Sequence, residues 1–312
     1  MDKSNTSKRV MLTGATGFLG RAIFDTLPTG SVRVFARTQP DFDCDFVIGD
    51  LTAADKISPK LFAEIDVIIH CAARAHIMHD TMCDPLEAYR SVNTQGTYQL
   101  ALQAAKAGVK RFIFISTIKV HGESTEADKT FRFSDSCQPT DPYAVSKFEA
   151  ENQLIQLAAE TGMEVVIIRP PLVYGRGVKG NFASIIRLLH RRLPLPLGAI
   201  NNKRSLVGLD NLVDLIITCI DHPSAANQIF LVSDDHDLST TDLLRIIAKT
   251  NGYSTLLVPI PMSFLLILGK LCGKQSIIDR LCGNLQVDIS HTRETLDWAP
   301  PFDVVHGLKN IS

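Results

Sequence analysis

A short, mostly apolar run, Val10-Met11-Leu12-Thr13, leads directly into Gly14-Ala15-Thr16-Gly17-Phe18-Leu19-Gly20, and a helical pattern follows. Few features restrict a chain more. Glycine is needed where a backbone turns sharply after a strand and where it approaches a pyrophosphate, whose charge is then met by amides at the helix N-terminus. A glycine-rich turn alone is weak, but between a strand and a helix it predicts a dinucleotide-binding unit. The segments that follow continue the alternation. Strands are expected at Val10 to Thr13, Val32 to Ala36, Phe46 to Ile48, Val67 to Cys71, Phe112 to Ile115 and Val165 to Ile168. Helices are expected at Phe18 to Leu27, Leu86 to Ala107 and Pro142 to Thr161, the last two stopping at Gly108 and Gly162. Strand and helix in alternation predict an α/β fold with a parallel sheet covered on both faces.

At 312 residues, 45% apolar and 21% charged, the chain can bury a large core and is not disordered by composition. Its 32 basic and 33 acidic residues offer no global field for nucleic acid. The seven cysteines include no C-x-x-C pair, so they read as reduced, mostly core thiols rather than a disulfide frame or metal cluster. The polar start, Met1 to Arg9, lacks a secretory pattern, which makes the cytoplasm the default. The most apolar run, Leu256 to Leu268, is broken by Pro259 and Pro261 and too short for a membrane span; a buried helix near a domain interface is expected there, with attachment to a membrane surface as the minor alternative. After Gly175 the pattern changes. Residues 1–175 read as the dinucleotide domain and 176–312 as a smaller, mainly helical substrate domain, with Ile229 to Val232 returning to the sheet (near 229–233). Glu123 to Asp141 reads as a loop.

The end of the second strand separates the two nicotinamide cofactors, an acid binding the free ribose hydroxyls and an arginine a 2′-phosphate. Here it reads Phe35-Ala36-Arg37 with no acid before Asp41, which tilts the expectation to NADP(H). NAD(H) stays open, because an arginine also stacks on adenine. Asp50-Leu51 is placed to meet the adenine, or simply to start a turn.

Asp141-Pro142 forms a helix start, and Tyr143 and Lys147, four apart, share the face of the helix it opens. A free phenol titrates near ~10, so proton exchange at neutral pH needs a positive neighbour, which Lys147 and an oxidised nicotinamide supply. The preceding strand ends in Ser116-Thr117 at the sheet edge where α/β proteins bind ligands. Thr117 can hold the oxygen that Tyr143 protonates, with Ser116 as its rival.

Gly14/Gly17/Gly20, Asp50-Leu51, His70-Cys71-Ala72-Ala73, Asn93, Ser116-Thr117, Tyr143-x-x-x-Lys147 and Arg169-Pro170, in this order, resemble an extended short-chain dehydrogenase/reductase of the nucleotide-sugar epimerase/dehydratase family. The resemblance covers nearly the whole chain. It implies a Rossmann-type doubly wound sheet with a C-terminal sugar-nucleotide domain, and a homodimer through a helix pair. It also implies Tyr143 as acid/base, Lys147 on the ribose and on the tyrosine, Thr117 on the reacting oxygen, Phe18, Leu19, Ala72, Ala73 and Pro170 against the cofactor, and Asn93 behind the site. Asn181 and Arg204 match family positions that contact the substrate diphosphate; Arg280 is a weaker third candidate, read first as a solvated surface cation. Ile118 and Lys119 replace the Asp-Glu pair of 4,6-dehydratases, which argues against dehydration, and His121-Gly122 departs from the usual Tyr-Gly. His76 reads equally as a sugar contact or a plain loop residue.

The phrases around His70, Ser116 and Arg204 look closest to a UDP-glucose 4-epimerase-like subgroup that includes reductases forming UDP-N-acetylquinovosamine. A net reductase draws on an external NADPH pool, so Arg37 points to reduction of the C4 ketone of a UDP-4-keto-6-deoxy-N-acetylhexosamine for bacterial surface polysaccharide. The alternatives are a UDP-hexose 4-epimerase with bound NAD, and a non-catalytic nucleotide sensor.

Overall fold

Val10–Thr13 forms β1, with all four residues buried. Around it lie β2 (Val32–Ala36), β3 (Asp45–Ile48), β4 (Val67–His70), β5 (Arg111–Ile115), β6 (Glu164–Arg169) and, at the far edge, a later strand, Ile229–Leu231. These seven form one sheet in the order β3-β2-β1-β4-β5-β6 followed by Ile229–Leu231, and every pairing is parallel. The computed structural model describes residues 8–56, 58–75, 84–178, 182, 186–187, 189, 194–309 and 311.

Parallel strands covered on both faces carry near-continuous apolar runs, and β4 and β5 are buried throughout, polar only at His70 and Arg111. Alternate residues serve opposite layers. Val10, Leu12, Val67, Ile69, Ile113, Val166 and Ile168 pack with helix Leu209–Asp221 on one face; Met11, Ile68, Phe112, Phe114, Val165 and Ile167 pack with Leu100, Ala104, Ala150 and Leu154 on the other. Arg111, at the start of β5, donates from Nη1 to the carbonyls of Cys219, Ile220 and His222 at 2.7, 3.0 and 3.0 Å. It thereby satisfies the C-terminal end of helix Leu209–Asp221, where carbonyls otherwise lack partners.

All the expected strands form, including the returning one. The expected helix from Leu86 to Ala107 is instead α2 (Pro85–Tyr89), a π-helical turn over Arg90–Gly96, and α3 (Thr97–Lys106). The break has a packing cause: a Cβ on Gly96 would lie 2.8 Å from the Leu51 carbonyl oxygen, so this turn lies directly against the segment after β3. A two-stranded parallel ribbon, β7 (Leu172–Tyr174) with β8 (Leu206–Gly208), was not expected in the second half. Its strands are too short to show a period. Its buried Asp234 carboxylate is saturated by the Tyr174 hydroxyl at 2.6 Å, the Gly208 amide at 2.8 Å and the Asn211 side chain at 2.7 Å.

Two expectations need correction. Residues Leu256 to Leu268 are not a buried segment: helix Met262–Leu271 buries Leu265 and Gly269 and leaves most of its apolar residues in solvent. Apolar content reports that a face avoids water, not what covers it. The cysteines are free, but only Cys219 and Cys282 are buried; Cys272 is exposed, and Cys83 lies outside the described residues.

Candidate active site

The glycine turn closes against the carboxyl end of β4. Gly14 has φ +74°, and a Cβ there would lie 2.8 Å from the Ala72 amide nitrogen and 2.9 Å from the Cys71 carbonyl carbon. On Gly20, inside α1 (Phe18–Thr26), a Cβ would sit 2.1 Å from the Gly14 oxygen. The turn is thus a cradle that side chains would fill, with the N-terminus of α1 opening onto it, which fits a dinucleotide pyrophosphate. Because the obstructing atoms are backbone, Gly20→Ala must push α1 off the turn. We expect a loss of about 1–3 kcal/mol of stability and a disproportionate loss of dinucleotide affinity, read by denaturant midpoints and by titration calorimetry.

Asp50 accepts from the Thr52 amide at 2.9 Å and the Thr52 hydroxyl at 3.0 Å. These bonds, the backbone one foremost, hold its carboxyl below the usual range, with Arg37 contributing at longer reach. Leu51 is buried, and Arg37 is exposed. Arg37 therefore faces an acid that partly balances it.

Helix α4 (Pro142–Thr161) starts on Asp141, whose carboxylate accepts from the Ala144 amide at 2.7 Å, and ends at Gly162 in the left-handed conformation. Tyr143, Lys147 and Glu151 recur every four residues and so form one stripe along it. Tyr143 packs edge-on to Tyr89 with ring centroids 6.1 Å apart. Burial, then Asp141 and Tyr89, push its phenol above the ordinary range. Lys147 is 1% exposed, and its Nζ lies 3.9 Å from the Phe114 ring centroid. Burial pulls its ammonium down to about 7, against the pull of Glu151 and Cys71. The phenol thus waits for positive charge, and the lysine sits near the pH at which it gains or loses it.

Behind Lys147 lies a fully internal network. Glu151, 0% exposed, takes a forked bond from Arg169 at 3.1, 3.2 and 2.5 Å, and Arg169 Nη1 reaches His121 Nε2 at 2.8 Å. Beside it, His70 bridges the Thr13 hydroxyl at 2.8 Å and the Thr97 hydroxyl at 2.9 Å. Burial, reinforced by nearby Lys147 and Arg169 respectively, holds His70 at about 3 and His121 at about 4. Both are neutral when folded, while an unfolded histidine takes up a proton below about 6.5. The unfolded state then binds more protons, so stability should fall as pH drops from 6.5 towards 4, by up to about 1.4 kcal/mol per pH unit for each histidine. Urea midpoints across that window test this, and His121→Gln should flatten part of the slope.

Asn93, on the π-helical turn, ties the loop after β4 to α4. Its Oδ1 accepts from the Arg74 amide at 2.8 Å, and its Nδ2 donates to the Arg74 carbonyl at 3.1 Å and the Ser146 hydroxyl at 3.0 Å. Such π-turns often accompany functional sites. Ala72, in the same loop, donates its amide to Thr13 Oγ1 at 3.1 Å. The segment after β5 is held as firmly: Ser116 donates its amide to the Ile168 carbonyl at 2.8 Å and Ile118 to the Pro170 carbonyl at 2.9 Å. The Thr117 hydroxyl accepts the Lys119 amide at 3.3 Å, which leaves its proton to donate. The buried Ser116 hydroxyl has no partner among the described residues.

Lys119 occupies a position discounted above except as evidence against dehydration. Its Nζ donates to Asp141 at 2.6 Å and Glu123 at 2.9 Å, joining the end of β5 to the cap of α4. Glu123 in turn lies 3.9 Å from Arg280. Arg204 donates from Nη1 to the Arg280 and Gly283 carbonyls, both at 3.0 Å. Burial, then Arg280, pull its guanidinium below its ordinary value. Arg280 is therefore a neighbour of Arg204, not an isolated cation, and the pair suits a doubly charged ligand. Asn181 and His76 lie outside the described residues. Glu151, Lys119 and Glu123 were missed in the sequence; the four-residue spacing behind Lys147 was the one available signal for Glu151.

A model of the NAD dependent epimerase/dehydratase family matches residues 10–233. The chain belongs to this family. The family member described in Vibrio cholerae as a UDP-glucose 4-epimerase is 51% identical over 98% of this chain and 94% of its own length. Among solved structures, a UDP-N-acetylglucosamine 4-epimerase from Bacillus cereus aligns over 98% of both chains with a TM-score of 0.79 at 18% identity. A UDP-glucose 4-epimerase from Thermotoga maritima, solved with UDP-glucose, aligns over 97% of both chains with a TM-score of 0.76 at 20% identity. These two show the shared fold.

The likeness to the Vibrio protein overturns the 4-ketoreductase expectation, which rested on Arg37. The reason is chemical. Reduction and epimerisation pass the same hydride at C4, and an exposed arginine after β2 does not determine what becomes of it.

Proposed function

We propose that this enzyme is a UDP-hexose 4-epimerase that keeps its nicotinamide cofactor bound as NAD. The 51% identity to a UDP-glucose 4-epimerase across nearly the whole chain carries the reading. The Tyr143/Lys147 stripe, the glycine cradle and the Arg204/Arg280 pair support it. When bound, the dinucleotide would supply the acceptor and the later donor of the C4 hydride. Gly14, Gly17 and Gly20 would admit its pyrophosphate against α1, with Phe18, Leu19, Ala72, Ala73 and Pro170 beside it and Asp50, Leu51 and Arg37 at the adenosine end, where an arginine does not require a 2′-phosphate.

Tyr143 takes the proton from the C4 hydroxyl and gives it back after the sugar has turned over. Thr117 donates to the same oxygen and holds it in line. Lys147, on the same face of α4, stabilises the phenolate and would bind the ribose of the nicotinamide. Arg204 and Arg280 hold the diphosphate, leaving the hexose free to rotate between the two transfers. Lys119 and Asn93 are positioning residues that fix α4 against the ends of β5 and β4.

Purified protein given UDP-glucose without added coenzyme should form UDP-galactose until the two reach equilibrium, as separated by anion-exchange chromatography. NAD, not NADP, should be released on denaturing the protein. An unchanged sugar pool, with hydride transfer only when NADPH is added, would refute the proposal.

A further inference from the structure

Helix Met262–Leu271 is rich in apolar residues all round, and the protein covers one side of it. Leu265 and Gly269 face inward; Gly269 lies so close to helix Gln275–Cys282 that a Cβ there would meet Ile278 Cγ1 at 2.6 Å. Phe264, Ile267, Leu268 and Leu271 follow the i, i+3, i+4, i+7 spacing of one continuous stripe, and they are 57, 59, 46 and 80% exposed. Met262 and Ile277 are further exposed apolar side chains on this helix and the next, 43 and 51% accessible. Contiguous patches of this kind mark a surface that something covers.

The charge around the stripe indicates what. From Ser254 to Ile278 the chain holds no Asp or Glu, and its two charged residues, Lys270 and Lys274, are both exposed. Protein interfaces are enriched in Tyr, Trp and Arg and depleted in Lys. This face sets Phe264 and leucines beside two lysines and no acid, a composition that suits a headgroup layer of opposite charge. In a chain of formal charge -1 these cations are a local feature.

We propose that the face formed by Phe264, Ile267, Leu268 and Leu271 docks this protein on an anionic bilayer, the helix lying parallel to the surface with Lys270 and Lys274 among the headgroups. No helix among the described residues is long and apolar enough to cross a membrane, so the contact is peripheral. The neighbouring helix provides the Arg280 carbonyl bonded by Arg204, so the docked face adjoins the arginine pair. The proposal does not depend on which sugar reaction the enzyme performs.

The test is flotation of the full-length protein with vesicles of phosphatidylcholine alone and of equimolar phosphatidylcholine and phosphatidylglycerol. The protein should float with the mixed vesicles and stay behind with the neutral ones. Phe264→Ser/Ile267→Ser should reduce binding at least about tenfold. Lys270→Gln/Lys274→Gln should remove most of the preference for anionic lipid, at about fivefold per lysine. Melting curves matching the wild type would establish that both variants fold. Absence of flotation, or equal flotation of the apolar variant, would overturn the proposal. So would a wild-type dimer that ignores vesicles and becomes monomeric in the serine variant, which would place a second copy on this face.

Discussion

Replacing Tyr143 with Phe should lower turnover by about 10²–10⁴-fold, the usual worth of a positioned acid/base, and leave the fold intact. The phenylalanine keeps the ring that packs against Tyr89. Release of bound dinucleotide on denaturation should be unchanged, because the proposed pyrophosphate cradle is made by Gly14, Gly17 and Gly20 at the start of α1. Retained activity would remove Tyr143 from the mechanism. Loss of both activity and cofactor would mean that the residue is structural. Lys147→Met should resemble Tyr143→Phe in turnover but should also weaken the dinucleotide, since in the proposed mechanism the ammonium serves both partners.

Arg169→Met should be among the most destabilising single changes in the protein. The arginine and Glu151 are 4% and 0% exposed at their side chains, and its loss strands a carboxylate with no water to solvate it. The expected cost is about 3–5 kcal/mol, whereas Glu151→Met/Arg169→Met, which removes both charges, should recover most of it. Denaturant midpoints of the two variants make the comparison; equal destabilisation would show that packing, not the stranded charge, sets the cost. The double variant also separates stability from function. Glu151 holds the Lys147 ammonium up against burial, so without it the lysine should lose its charge at lower pH. The turnover profile should shift by that sign, a change that a purely structural pair would not produce.

The sheet was legible in the sequence because its strands are buried on both faces, so Val10 to Leu12 or Val67 to Ile69 appear as unbroken apolar runs. The glycine turn was legible because no other residue fits at Gly14 and Gly20. The ribbon of Leu172–Tyr174 and Leu206–Gly208 was not, since three residues carry no period and the pairing spans a long separation in the chain. The π-helical turn at Asn93 depends on contacts with Leu51 and Ser146, which local sequence does not specify. Arg280 and Glu123 look like ordinary surface charges until the fold places one beside Arg204 and links the other to Lys119. The stripe from Phe264 to Leu271 shows the opposite error: its apolar character was plain, and its exposure was not.

The central claim is that one carbon gives up its hydride and receives the same hydride back. UDP-glucose deuterated at C4, incubated with the purified protein and no added coenzyme, tests it directly by mass and proton spectra of the products. The account predicts UDP-galactose that still carries deuterium at C4. Deuterium lost from the galacto product, or found in an added nicotinamide pool as a ketone accumulates, would contradict it.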